Sequence, residues 1–155
     1  MGNFSFKSVG KTSEQKTQEV LYKTQLPVGI KTPLQFGGPA GLLSMSYSLQ
    51  EQIPDNLRNL LLTNWGERLG LYNFGANLRP LTTELVSQDD FDAAAMERIK
   101  TAVSTWMPYV NLDDYSSFFD RENIKNTAIV NLTITYSVPA LQITNKAIQI
   151  TLYAI

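Results

Sequence analysis

The side chains with a claim to chemistry are carboxylates: Glu67 in a glycine-rich stretch, the neighbours Asp113 and Asp114, and the neighbours Asp89 and Asp90. Two carboxylates flanking a sugar at about 5–9.5 Å, one with its pKa raised by an apolar pocket, would make a glycosidase. Glu67 with Asp113 or Asp114 is the pairing this sequence offers. Nothing in the spacing singles it out. Asp113-Asp114 follows an alternating run and reads as a turn, while Asp89-Asp90 precedes a helical stripe and reads as its cap. The sequence has no Cys and no His. That removes Ser-His-Asp triads, Cys–His nucleophiles, disulfides and the usual zinc sites. The expectation is a protein with no catalytic residue, no metal and no cofactor, with glycoside hydrolysis as the alternative.

Charge excludes further classes. The net charge is -1 with no basic run, and phosphate neutralisation needs a positive face, so no nucleic acid is expected as partner. No apolar run reaches the roughly 18 residues of a membrane span, and the opening residues lack a signal-peptide pattern. Charged residues make up 17% of the chain, below the roughly 25% of typical soluble proteins, which suits a surface partly covered by other proteins.

Such groups need a frame. Residues 1–41 are rich in Lys, Thr, Gln, Ser, Gly and Pro. Phe4, Phe6, Val9, Val20, Leu21 and Tyr22 fall in no sustained period, so an extended arm that orders against a neighbour is expected. A helix is predicted over 46–63, capped by Ser46 or Ser48, with Leu49, Ile53, Leu57, Leu60 and Leu61 as its stripe. Gly66 reads as its stop and opens a glycine loop; a short turn is predicted near Leu81–Val86. A second helix is predicted over 89–107, with Phe91, Ala95, Ile99, Val103 and Trp106 on one face and Pro108 as terminator. The period then changes to two. Strands are predicted over 109–119, 127–138 and 141–154. The fold class is α+β: two main helices on a small, mainly antiparallel sheet, with an extended N-terminal arm over 1–41 and the folded domain over 42–155.

The last strand carries the functional expectation. Beyond Lys146 it has no charge, and the sequence given stops at Ile155. A sheet edge presents unpaired N–H and C=O groups and is ordinarily blunted by charge or proline. An edge without that protection either pairs centrally in its own sheet or accepts a partner's strand. Ile148, Gln149, Ile150, Thr151, Leu152 and Tyr153 are therefore candidate partner-binding residues.

The segment Ile53-Pro54-Asp55-Asn56-Leu57-Arg58-Asn59-Leu60-Leu61-Leu62-Thr63-Asn64-Trp65-Gly66-Glu67-Arg68 resembles the opening signature of the contractile-tail baseplate wedge and sheath-initiator family. That signature is a helix with a leucine-rich end, Thr, two variable residues, then Gly-Glu-Arg. Phe74-Gly75 with Leu78, a long helix closing on Trp106-Met107-Pro108, and two alternating strands follow in the family's order, over residues 42–155. The family commonly carries Glu-Pro-Arg at the helix–strand junction where this chain has Met107-Pro108-Tyr109, so no polar role is carried over for that motif.

The resemblance implies a structural baseplate component. It would join the wedge or hub of a contractile tail or related injection machine to the sheath, and template the first sheath ring by strand exchange. Its implied partners are the tail sheath protein and baseplate wedge proteins, with tube or hub proteins as further contacts, at six copies per baseplate. Its implied location is the virion's tail baseplate, assembled in the host cytoplasm. Glu67 and Arg68 have two readings, a contact to a wedge partner or a local pair shaping the loop. Trp65, Tyr72 and Phe74 are aromatic interface candidates that could equally cap the core. Some family members carry a lysozyme-like label, which is why the enzyme alternative stands; a generic adaptor domain is the third reading.

Overall fold

The computed structural model describes residues 12–14, 16, 17, 20, 26–37, 41–84, 87–120 and 129–153. Phe4, Phe6, Val9, Leu21, Tyr22, Val86 and Ile155, which carry expectations above, lie outside them. The chain divides into two compact units, Met1–Gln52 and Ile53–Ile155.

In the first unit, β1 (Gly29–Ile30) pairs antiparallel with β2 (Met45–Ser46), Gly29 opposite Ser46 and Ile30 opposite Met45. Phe36 forms an isolated bridge to Leu43. A Cβ at Gly29 would meet the end of the Gln52 side chain, which would have to turn aside. Lys31 lies 3.5 Å from Glu51. The arm is not extended throughout, as the sequence suggested. Residues 13, 14, 16, 17 and 20 are helical. The Lys16 N–H donates to the Thr12 carbonyl at 3.0 Å, and the Thr17 hydroxyl to that of Ser13 at 2.9 Å. Local helical bonds satisfy this polar backbone without any apolar stripe.

Three helices follow: α1 (Leu49–Leu62), α2 (Leu81–Glu84) and α3 (Gln88–Trp106). Ser48 caps α1, its hydroxyl accepting from the Glu51 N–H at 3.3 Å. Ile53, Leu57, Leu60 and Leu61 are buried as the spacing predicts, whereas Leu49, one turn too early, is exposed. The helix stops at Leu62, where the Thr63 hydroxyl takes the Asn59 carbonyl; Gly66 lies beyond, inside the loop. For α3 the cap is Ser87, whose hydroxyl accepts from the Asp90 N–H at 3.2 Å. Asp89 and Asp90 instead place negative charge in the first turn. Phe91, Ala95, Ile99, Ala102 and Val103 are buried along one stripe.

The second unit's sheet has three antiparallel strands in the order β3 (Asn111–Asp120), β4 (Ile129–Val138), β5 (Ile143–Tyr153). β4 alternates cleanly: Val130, Leu132, Ile134, Tyr136 and Val138 are buried, and their odd-numbered neighbours are half-buried. Ile148, Ile150 and Leu152 of β5 share that inner face. Three strands with one apolar face still need cover to be stable; the helix stripes and the sheet's inner face form one buried cluster. Phe91 and Phe119 meet edge to face at 5.2 Å within it. The Tyr115 hydroxyl of β3 reaches the Asp92 carboxylate of α3 at 3.1 Å, and burial together with that charge pushes the phenol pKa well up. Asp113-Asp114 is not a turn. Both lie inside β3, at a register shift between Leu112 and Asp114.

Candidate protein-interaction site

Strand order makes β5 an outer strand. It pairs with β4 from Tyr153 opposite Ile129 to Ile143 opposite Val138, and among the described residues no strand pairs with its other side. The β5 candidates divide by pleat. The side chains of Ile148, Ile150 and Leu152 are buried, so these residues can offer a partner only main chain. Gln149, Thr151 and Tyr153 project to the open face. Thr151 is fixed there by donating to the Asn131 carboxamide oxygen at 2.8 Å.

The sheet's two borders differ chemically. β3 exposes Asp113 and Asp114 at its register shift, charges that discourage foreign pairing, while the register shift of β5 lies near its start, between Ile143 and Lys146. β5 is 11 residues long with Lys146 its one charged side chain.

The second group of candidates sits on the glycine loop after α1. Gly66, Gly70 and Gly75 have φ of 85, 80 and 112, backbone open to glycine and few others. At Gly75 a Cβ would also overlap the Thr63 carbonyl oxygen, so the loop closes back onto the end of α1. The Ala76 N–H bonds the Leu60 carbonyl at 3.0 Å and completes that closure. Trp65 donates its indole N–H to the Gly75 carbonyl at 3.1 Å and remains 50% exposed. The Arg98 guanidinium donates to the Asn77 carbonyl and ties the loop to α3.

Glu67 and Arg68 turn to different partners. The Glu67 carboxylate accepts from the Asn64 backbone N–H at 2.8 Å and from its side-chain amide at 2.9 Å. The Arg68 guanidinium lies over the Phe74 ring, 3.9 Å from its centroid, and Phe74 meets Trp106 edge to face at 5.2 Å. The local pair anticipated from sequence is thus two separate local contacts.

This separation puts the two residues in different clefts. Glu67 lines one of about 300 Å³ with Arg79, Thr151 and Tyr153, so the loop and the end of β5 form one continuous surface. Arg68 and Phe74 line another of about 260 Å³ with Asn59, Trp106 and Tyr109. Trp65 lines a third, with Glu97 and Thr101 of α3. Sequence reasoning passed over Arg79 and Asn64. The one available cue was their position flanking the loop, since Asn64 accepts from the Arg79 N–H at 3.2 Å.

The carboxylates do not make a glycosidase pair. Asp114 pairs with Thr135, and Thr151 and Tyr153, beside Glu67, pair with Asn131 and Ile129. Four to six residues along β4 is about 13–20 Å, and two strand spacings add about 10 Å across the sheet. A hydrolytic pair needs about 5–9.5 Å. Glu67 is also tuned the wrong way for a general acid. The side-chain and backbone hydrogen bonds from Asn64 hold its pKa below the usual carboxylate value. Such a group stabilises the fold above its unfolded pKa of about 4.5 and loses that contribution as pH falls through the lower folded value. Wild type is therefore expected to melt slightly above Glu67→Gln at neutral pH, the gap closing in acid; thermal melts across that range check it. The effect is small because the carboxylate is exposed.

Among the described residues no three His, Cys, Asp or Glu side chains cluster as a metal site, and no helix is long and apolar enough to cross a membrane.

The fold belongs to a class known from solved structures. The chain superposes on a chain of the anti-feeding prophage baseplate, determined with six-fold symmetry, with a TM-score of 0.58 and 22% identity over 77% of this chain and 90% of that one. A second similar chain is a candidate tail lysozyme from Geobacter sulfurreducens, with a TM-score of 0.47 and 21% identity over 68% of this chain and 89% of that one. No family profile matches the sequence. No curated protein matches it either. The α+β architecture is thus one that occurs in the anti-feeding prophage baseplate.

Proposed function

We propose that this protein is a structural component of a contractile-tail baseplate that joins wedge or hub to sheath, and that β5 templates the first sheath ring by accepting a strand. The observation that supports the reading is the unequal charge of the two sheet borders: β3 exposes Asp113 and Asp114, whereas β5, beyond its own register shift between Ile143 and Lys146, carries no charged side chain as far as Tyr153. Main-chain bonds along such an edge supply affinity, and side chains alternating on the open face set register. The loop residues Trp65, Glu67, Arg68 and Phe74 serve as contacts to wedge proteins. The exposed apolar residues Leu34 and Phe36 of the arm, with Leu42 just after it, suit a further neighbour in the tube or hub. Assembly at six copies per particle, on the virion's baseplate, goes with this reading; the similar baseplate chain sits in a six-fold assembly.

Ala147 and Gln149 are exposed and share the open face of β5, so lysines there act as edge guards without touching the core. The double variant Ala147→Lys/Gln149→Lys is expected to fold as wild type by circular dichroism and to lose capture of the particle's own sheath protein. Undiminished capture by the folded variant refutes strand exchange at β5.

A further inference from the structure

We propose that the cleft between α1, the glycine loop and the α3–β3 junction is an acceptor for a carboxylate side chain presented by a partner protein. Among the described residues, Arg68 is the one charged residue lining this cleft of about 260 Å³, and no carboxylate lines it. The fold itself leaves that charge available. Glu67, its neighbour in sequence, is turned to Asn64 and occupied there by two hydrogen bonds. Arg68 instead holds its guanidinium carbon over the Phe74 ring, 3.9 Å from the centroid, and Phe74 is in turn braced by Trp106. A cation–π contact uses none of the N–H donors of a guanidinium, which can still bind a carboxylate with two parallel bonds.

The remaining lining suits the same occupant. Asn59 and Tyr109 bring neutral polar groups to the cleft, while Trp106 and the buried Met107 supply an apolar wall for the methylenes of an acidic side chain. A wall of low polarity strengthens the ion pair relative to open water. This also gives a use to the Met107-Pro108-Tyr109 junction, which places no charge of its own beside Arg68. The cleft shares no lining residue with the one at the end of β5, so the inference does not depend on strand exchange.

The test is a titration of the full-length, isotope-labelled chain with three capped peptides, acetyl-Leu-Glu-Leu-amide and its Gln and Lys counterparts, read at the indole resonances of Trp106 and Trp65. The Glu peptide is expected to move Trp106 saturably in the millimolar range and to leave Trp65 in place. The Gln and Lys peptides are expected to bind at least about tenfold more weakly, and Arg68→Met, which keeps the stacking but drops the charge, to weaken the Glu peptide by a similar factor. Added salt reduces the response. Equal responses to the three peptides, a response unchanged in Arg68→Met, or no response in wild type each overturns the proposal. Free acetate reproducing the full effect while the Glu peptide has none overturns it too, because the cleft would then accept a small anion and no partner side chain. Arg68 is exposed, and an unchanged far-ultraviolet spectrum of the variant shows that its fold is intact.

Discussion

Stopping the chain after Asn145 is expected to unfold the second unit. β5 buries Ile148, Ile150 and Leu152 against the helices and covers one whole side of β4. Burying a large aliphatic side chain contributes about 1.5–3 kcal/mol, so the three together supply roughly 5–9 kcal/mol. Domains of this size are stable by about 5–15 kcal/mol in all. The truncated chain should therefore lack a cooperative melt and the near-ultraviolet signature of packed aromatics; a wild-type melting transition would show that β5 is an accessory to the core. The same arithmetic decides how strand exchange must be tested. Loss of sheath capture by a truncated chain would report unfolding, whereas the paired lysines at Ala147 and Gln149 change the border and leave the inner face alone.

Gly75→Ala carries the second large effect. The residue has φ of 112, and a Cβ would overlap the Thr63 carbonyl oxygen, which is backbone and has no rotamer to escape into. Strain of this kind costs about 1–3 kcal/mol before the overlap is relieved. Relief has to open the contact between the loop and the end of α1, and with it the Trp65–Gly75 and Ala76–Leu60 bonds. The melting temperature is expected to fall by on the order of 10 °C. Gly70→Ala has a positive φ but nothing within 4 Å of its Cβ, so it should cost appreciably less. Equal losses at the two positions would mean that closure onto Thr63 contributes nothing.

The parts that sequence disclosed are those governed by local periodicity. The stripe of Phe91, Ala95, Ile99 and Val103 and the alternation of β4 follow from where side chains point on a helix or a strand, and both lie where the spacing puts them. Strand order is set by long-range pairing, so periodicity left open whether β5 is central or outermost. The register shift between Leu112 and Asp114 was equally hidden: the strand expected over 109–119 forms, as Asn111–Asp120, but Asp113-Asp114 stays within it and makes no turn. The candidate loop was visible by its glycines, but its side-chain directions were not. Positive φ at Gly66, Gly70 and Gly75 redirects the chain at each step, and that is how Glu67 and Arg68, adjacent in sequence, come to line different clefts. The cleft around Arg68 gathers residues from α1, the loop and the α3–β3 junction, a meeting that no spacing rule encodes.

The unequal borders of the sheet have one more consequence. A platform with two open sides could be lengthened from both, and copies of it would string together without limit. Here the acidic side disfavours growth in one direction, so that under the proposed strand exchange β5 is the side of this sheet that would be filled. On that reading the molecule has polarity: it would begin a stack and would not serve as an interior rung of it.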